Sequence, residues 1–296
     1  MRLHLVDATY ELFRAFFAPR PPVRAADGRD LSATWGLVEN LLSILRDEGA
    51  THLGAATDRV IESFRNDLYA GYKTGAGVDP ALMAQFPIAE AAIEALGIRL
   101  WPMVAHEADD AIATAVARWA DEPGLDQVII CSPDKDLAQC VRDERVVLLD
   151  RRRRLTYDRA GVIAKWGVEP ASIPDLLALV GDAADGYPGL PGWGAKSAAT
   201  VLRRYGTLEA IPARTSDWDI PVRGAVTLAA TLRERRDEVL LYRTLARLRT
   251  DAPLPERTVD ELRWRGAPRE HWIAFCDEIG LARLRSRPHR WLGEVD

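Results

Sequence analysis

Along the first half of the chain, short runs of leucine, valine and isoleucine alternate with longer stretches of helical period. This is the pattern of an α/β fold whose largely parallel sheet is flanked by helices. Strands are predicted at Leu3–Val6, His52–Ala56, Ile98–Met103, Gln127–Cys131 and Arg145–Leu149. Between the first two, Trp35, Val38, Leu42 and Leu45 recur at helical spacing after Ser32, a residue suited to cap a core-facing helix. Asp79-Pro80 predicts another helix start, with Leu82, Phe86, Ile93 and Leu96 on one stripe and Gly97 as its stop. Pro87 should kink or interrupt that helix. Beyond about residue 157 the strand signal fades into short helices broken by Gly and Pro. The predicted organisation is an α/β domain over 1–168 and a helical domain over 169–296.

The ends of the predicted strands carry the chemistry. The first ends at Asp7 and the second runs into Asp58. The third is followed by His106-Glu107-Ala108-Asp109-Asp110, and the fourth by Ser132-Pro133-Asp134-Lys135-Asp136. In an open parallel sheet the carboxyl ends of the strands face one crevice, where ligands bind. Carboxylates gathered there repel one another unless cations balance them. With no His/Cys ligand cluster, the oxygen donors point to Mg²⁺ or Mn²⁺ rather than Zn²⁺. Each acid taken alone is also an ordinary helix-start residue, and Asp134 and Asp136 could simply cap a helix. Their joint placement is what favours a metal site.

Further along, Gly181-Asp182-Ala183-Ala184-Asp185-Gly186 adds two acids directly before Tyr187-Pro188-Gly189-Leu190-Pro191-Gly192-Trp193-Gly194-Ala195-Lys196-Ser197. The second stretch, within 187–206, has the form of a helix-hairpin-helix. Its glycines (Gly189, Gly192, Gly194) let the backbone approach a phosphate, the next helix offers free N–H groups at Ser197 and its neighbours, and Lys196 adds charge. Arg203 and Arg204 extend a sequence-independent duplex footprint, which should weaken steeply with salt.

Composition sharpens this reading in two places. The chain of 296 residues carries a net charge of −5, which argues against a polyanionic partner at first sight. Removing the nine acids of the candidate metal site from the 44 present leaves 35 against 39 basic residues, so the remainder is basic by four. The three cysteines form no Cys-x-x-Cys pair, which argues against a disulfide framework or zinc site and for a reducing cytoplasm. No apolar run approaches the roughly 20 residues of a membrane span. The start Met1-Arg2-Leu3-His4-Leu5-Val6-Asp7 is expected to be neither signal nor transit peptide.

One ordered set of motifs is highly specific: Leu5-Val6-Asp7; Phe64-Arg65-x-x-Leu68-Tyr69-x-x-Tyr72-Lys73; Glu107-Ala108-Asp109-Asp110; Asp134-Lys135-Asp136-Leu137; Gly181-Asp182-x-x-Asp185; Gly189-Leu190-Pro191-Gly192-Trp193-Gly194-x-Lys196. A late Leu248-Arg249-Thr250-Asp251-x-Pro253-Leu254 segment continues it. The set resembles the structure-specific 5′ nucleases: the flap endonucleases and the 5′→3′ exonuclease domain of bacterial DNA polymerase I, here expected to stand alone. The resemblance implies a PIN-like α/β domain with a short helical arch near 65–87. It implies two-metal hydrolysis of DNA phosphodiesters at 5′ ends, flaps or nicks, in replication or repair.

By the same resemblance, Asp7, Asp58, Glu107 and Asp109 ligate or support one ion. Asp134, Asp136 and Asp182 serve the second, and Asp110 and Asp185 complete the cluster. Lys73 is the electrophilic partner of the scissile phosphate, Arg65 a second phosphate contact, and Tyr72 a stacking platform for a displaced base. The resemblance alone implies K⁺ at the hairpin. Expected partners are branched or nicked DNA and a separate DNA polymerase, with the protein acting as a monomer and no membrane involved.

Three departures stand out. The arch segment Lys73-Thr74-Gly75-Ala76-Gly77 lacks the family's arginine and leaves the balance of exonuclease and flap endonuclease activity open. Gly186 replaces an asparagine, which is expected to loosen the turn before the hairpin, and Trp193 replaces an aliphatic residue, as core packing or a wedge. Arg151–Arg154, before Leu155-Thr156-Tyr157, reads as the solvated tip of a β-hairpin. Two other functions remain open: a PIN-type ribonuclease, disfavoured by the helix-hairpin-helix, and a non-catalytic DNA-structure-binding protein, disfavoured by the full acid set.

Overall fold

The computed structural model describes residues 1–294. In chain order its elements are β1 (Arg2–Asp7), α1 (Ala8–Phe16), α2 (Ser32–Asp47), β2 (His52–Asp58), α3 (Phe64–Leu68), α4 (Pro80–Met83), α5 (Phe86–Ala95), β3 (Arg99–Met103) and α6 (Ala108–Trp119). They continue with β4 (Gln127–Cys131), β5 (Val146–Asp150), β6 (Leu155–Tyr157), α7 (Arg159–Trp166), α8 (Ile173–Val180), α9 (Ala195–Tyr205), α10 (Ala225–Glu234), α11 (Arg236–Ala246) and α12 (Arg269–Glu278). All five predicted strands are present within two residues of their predicted ends. No strand follows Tyr157 among the described residues.

Two compact units share the chain: one of residues 1–61, 75–132 and 250–296, the other of 62–74 and 133–249. This division by contacts interleaves segments of the chain.

The first unit holds four parallel strands, with β1 between β2 and β4, and β3 outside β2. Leu3, Leu5 and Val6 on β1 are fully buried, as are Val128 and Ile130 on β4, so the strands read as continuous apolar runs. On α2, the stripe Leu37, Leu41 and Ile44 is fully buried, each side chain contributing about 1.5–3 kcal/mol against exposure. Ser32 opens α2 but does not cap it: its Oγ accepts from Val23 N–H at 2.9 Å, and the N-cap is Leu31. The predicted helix beginning at Asp79 is two pieces, α4 and α5. Pro87 sits in the first turn of α5, where its missing N–H sacrifices no helical bond, and so begins a helix rather than kinking one. Residues 65–87 hold most of α3, all of α4 and the start of α5.

The segment from 250 onward closes this unit. Trp264 Nε1 donates to Leu96 O at 2.9 Å, Trp101 Nε1 to Glu256 Oε2 at 2.9 Å, and Arg118 to the carbonyls of Leu254 and Ala252. Trp101 lies so close to β2 that a Cβ at Gly54 would stand 2.4 Å from its ring.

In the second unit β5 and β6 pair antiparallel, Leu148 opposite Tyr157, with Arg151–Arg154 at the tip as expected. The rest is helical. Helices α8 and α9 flank the predicted hairpin, and Trp193 is core: it is buried, and its Nε1 donates to Leu228 O at 3.2 Å. No helix among the described residues is long and apolar enough to cross a membrane.

Candidate metal centre

The acids of the first unit lie at the carboxyl ends of its strands. Asp7 ends β1 and caps α1, its Oδ1 accepting from Tyr10 N–H at 2.8 Å and its Oδ2 from Ser132 Oγ at 3.1 Å. Asp58 ends the neighbouring β2, and its Oδ1 accepts from Ala108 N–H at 2.7 Å, tying the strand to the start of α6. Asp110 is fully buried, with Oδ2 accepting from Glu107 N–H at 3.0 Å. Glu107 is buried and Asp109 half-buried in the same first turn, where the helix N-terminus favours negative charge. Several of these oxygens therefore do the capping work that the structural reading of the sequence foresaw.

The second unit gathers the other acids more tightly. Carboxylate oxygens of Asp136, Asp182 and Asp185 all lie within 4.8 Å of one another, each residue buried. Asp134, exposed, sits at the edge, and its Oδ1 accepts from Asp136 N–H at 2.9 Å. Burial first, then the charges of Asp134, Asp185 and Asp182, push the Asp136 carboxyl well above its ordinary range, with Lys135 pulling the other way. Asp136 Oδ1 is buried and has no hydrogen-bond partner. A buried, orphaned carboxylate oxygen among other carboxylates is a costly arrangement that a hard divalent cation would satisfy, so the donor set fits Mg²⁺ or Mn²⁺.

Two ammonium groups lean on this cluster. Lys135 Nζ meets Asp182 Oδ2 at 2.5 Å, and Lys73 Nζ meets Asp185 Oδ1 at 3.0 Å. Burial works against the Lys135 ammonium, but its hydrogen bond to Asp182 and the surrounding carboxylates outweigh it and raise its pKa. Lys73 is held by its backbone as well: its N–H donates to Asp185 O at 2.9 Å, and its own carbonyl accepts from Asn66 Nδ2 at 3.0 Å. Gly186 permits this approach. Its φ is +88°, and a Cβ there would stand 2.2 Å from Gly71 O, so the residue expected to loosen the turn instead lets two segments touch.

Two predicted contacts are corrected. Arg65 is 1% exposed, and its guanidinium donates to Leu245 O at 2.7 Å and Arg247 O at 3.2 Å. It is an internal strut and presents nothing to a phosphate. Tyr72 is 3% exposed, so its ring offers no face for a displaced base. Helix α3 stops at Leu68, after which the chain turns inward, and the motif's second tyrosine goes with it. Lys135, Asn66 and Tyr187 were given no role from sequence. Lys135 alone carried a signal, standing between two of the acids.

The hairpin retains its predicted parts. Gly189 has φ +68°, and a Cβ there would stand 2.3 Å from Gly181 N, so this glycine serves the close packing of the two loops. Gly194 is the N-cap of α9, where Ser197 Oγ accepts from Gly194 N–H at 3.2 Å and donates to Gly194 O at 2.9 Å. Gly192, Gly194, Lys196 and Ser197 line a cavity of about 620 Å³ together with Arg223 and Gly224, the latter capping α10. Lys196 and Arg203 are exposed, whereas the exposed Arg204 is engaged by both oxygens of Asp219.

A family model described as the 5′-3′ exonuclease N-terminal resolvase-like domain matches residues 2–167, and one described as the 5′-3′ exonuclease C-terminal SAM fold matches 168–270. DNA polymerase I of Mycobacterium leprae is 36% identical over 290 residues, covering 96% of this chain and 31% of that protein. The chain thus spans about a third of the length of the polymerases it resembles. A 5′-3′ exonuclease of Aquifex aeolicus is 36% identical over 210 residues, 71% of each chain. Among solved structures, the bacteriophage T5 flap endonuclease in a complex with DNA and metal ions superposes with a TM-score of 0.68 at 20% identity, over 96% of this chain and 100% of that one. The catalytic core of Rad2 with DNA substrate superposes with a TM-score of 0.59 at 14% identity, over 93% and 86%. These last two show the same fold.

Proposed function

Since the chain belongs to the 5′-3′ exonuclease family, we propose that it is a divalent-metal-dependent hydrolase of DNA, acting as a 5′→3′ exonuclease and 5′ flap endonuclease in replication or repair. The observation that carries this reading is the buried Asp136–Asp182–Asp185 cluster with its orphaned oxygen and its attendant Lys73. In this reading Asp134, Asp136, Asp182 and Asp185 hold one Mg²⁺ or Mn²⁺. Asp7, Asp58, Glu107 and Asp109, supported by Asp110, hold another. Such ions, when bound, lower the pKa of a water and stabilise charge on phosphate oxygens.

The chain's own groups do the rest. Lys73 presents its ammonium to the scissile phosphate, and the Asp185 carboxylate and Asn66 amide fix its position. Gly192, Gly194, Lys196 and Ser197 meet the duplex backbone at the start of α9, where N–H groups and positive charge favour a phosphate, with Arg203 beyond. K⁺ at this hairpin, a monomeric enzyme, a separate polymerase as functional partner and a cytoplasmic setting complete the proposal.

Cleavage of a 5′-end-labelled flap duplex and a matched nicked duplex in Mg²⁺, with an EDTA control, tests it. An EDTA-sensitive cut near the flap junction is expected from the wild type, and Asp134→Asn should lose cleavage while still binding branched DNA. Retained binding without Mg²⁺- or Mn²⁺-dependent cutting by the wild type would leave a DNA-structure-binding protein instead.

A further inference from the structure

Tyr187 follows directly on the turn that carries Asp182 and Asp185, and its backbone closes that turn. Asp182 N–H donates to Tyr187 O at 2.8 Å, and Tyr187 N–H to Asp182 O at 3.1 Å. The side chain is 1% exposed and stacks on Tyr242, ring centroids 5.7 Å apart and planes 22° from parallel. A ring so held has little freedom to swing its hydroxyl elsewhere. That hydroxyl is buried and has no hydrogen-bond partner.

Trp193, Trp264 and Trp272, all buried, each give their Nε1–H to a backbone carbonyl. The phenol of Tyr187 has no such acceptor. Its electrostatic neighbours are Asp136, Asp185 and Asp182, with Arg65 as the opposing charge. A phenol is an O–H donor at neutral pH. Facing the same cluster is an acceptor in the complementary condition, the buried and unpartnered Asp136 Oδ1. A donor lacking an acceptor and an acceptor lacking a donor, both buried at one carboxylate cluster, describe a hydrogen-bond network waiting for the ion that would draw it together.

We propose that Tyr187 is a positioning residue for the divalent ion of the Asp136–Asp182–Asp185 cluster, donating its O–H to the Asp136 carboxylate and so holding that carboxylate on the ion. This rests on the metal reading given above. Hydrogen bonds of this kind hold a ligand in place on its ion, and their loss commonly weakens metal affinity by about 10–100-fold.

The test is a Mn²⁺ titration without DNA, free Mn²⁺ being read by electron paramagnetic resonance, on wild type, Tyr187→Phe and Asp182→Asn, with the thermal midpoint of each metal-free protein. Phenylalanine keeps the stack on Tyr242 and removes only the hydroxyl. The expected result is Mn²⁺ affinity lowered roughly tenfold or more at the site that Asp182→Asn also weakens, with a metal-free midpoint unchanged or raised because an unsatisfied buried hydroxyl has gone. Affinity within about twofold of wild type, against a clear loss in Asp182→Asn, would overturn the role of Tyr187 alone. A weakened affinity accompanied by a lower metal-free midpoint would assign the loss to packing and also overturn it. Equal Mn²⁺ binding by wild type and Asp182→Asn would remove the metal site itself, and this proposal with it.

Discussion

Lys73 meets Asp185 twice, by its backbone N–H to the Asp185 carbonyl at 2.9 Å and by its ammonium to the carboxylate at 3.0 Å. The first contact fixes where the lysine sits and the second fixes where its charge points. With a third of its side chain still exposed, the ammonium is restrained but reachable.

Lys73→Ala should therefore lower the cleavage rate by about 10²–10³-fold, the usual loss when one pre-aimed donor to developing charge is removed. The thermal midpoint should barely move, since a part-exposed ion pair contributes little. Single-turnover cleavage alongside a melting curve separates the two effects, and an unchanged rate would remove Lys73 from the reaction.

Gly186→Ala should destabilise by more than about 2 kcal/mol, combining a left-handed backbone with a side chain driven against Gly71 O. The same clash would push the 71–73 segment off Asp185. The rate of cleavage by the folded fraction should fall together with the denaturant midpoint, whereas loss of stability alone would show that Lys73 does not depend on this contact.

Arg65→Met is expected to cost about 2–5 kcal/mol, because the carbonyls of Leu245 and Arg247 lose a buried donor. Duplex affinity of the remaining folded protein should be unaltered, as measured by gel shift below the unfolding transition. Weakened binding with intact stability would return Arg65 to the role of phosphate contact.

His52, at the opposite end of β2 from Asp58, supplies a pH dependence. Burial lowers its pKa, Asp260 raising it and Arg263 and the N-terminus lowering it further. Above its unfolded value of roughly 6.5 the ring is neutral in both states and stability is complete. Below that value the unfolded chain takes a proton that the folded chain refuses, so stability falls with pH until the depressed folded pKa is passed. Thermal midpoints of wild type and His52→Gln from pH 8 to pH 5 should converge toward the acid end; a constant gap would contradict the shift.

The strands, the hairpin and the acids that gather as Asp136, Asp182 and Asp185 were legible because each is a local signal: a β-branched run, a Gly-x-Gly turn, a carboxylate beside a turn. What stayed hidden depends on partners far along the chain. Arg65 and Tyr72 share a motif with Lys73, and nothing within it tells which side chain turns inward. The carbonyls that claim Arg65 lie 180 and 182 positions away. The interleaved units were hidden for the same reason, since Trp264 finds Leu96 across 168 residues. Pro87 marked the interruption correctly, and only the stripe through Leu82 and Ile93, which runs across both pieces, suggested one helix. Tyr187 reads as one more apolar residue until its hydroxyl is seen to lack a partner.

The return of the segment from 250 to the first unit also sets an order of assembly. The second unit, 62–74 with 133–249, has all of its chain once residue 249 has been made, while the first still waits for the stretch that covers Leu96, Trp101 and Arg118. Contacts that span so much sequence form late and slowly. The half bearing Lys73 and the hairpin can therefore close before the half bearing Asp7 and Asp58.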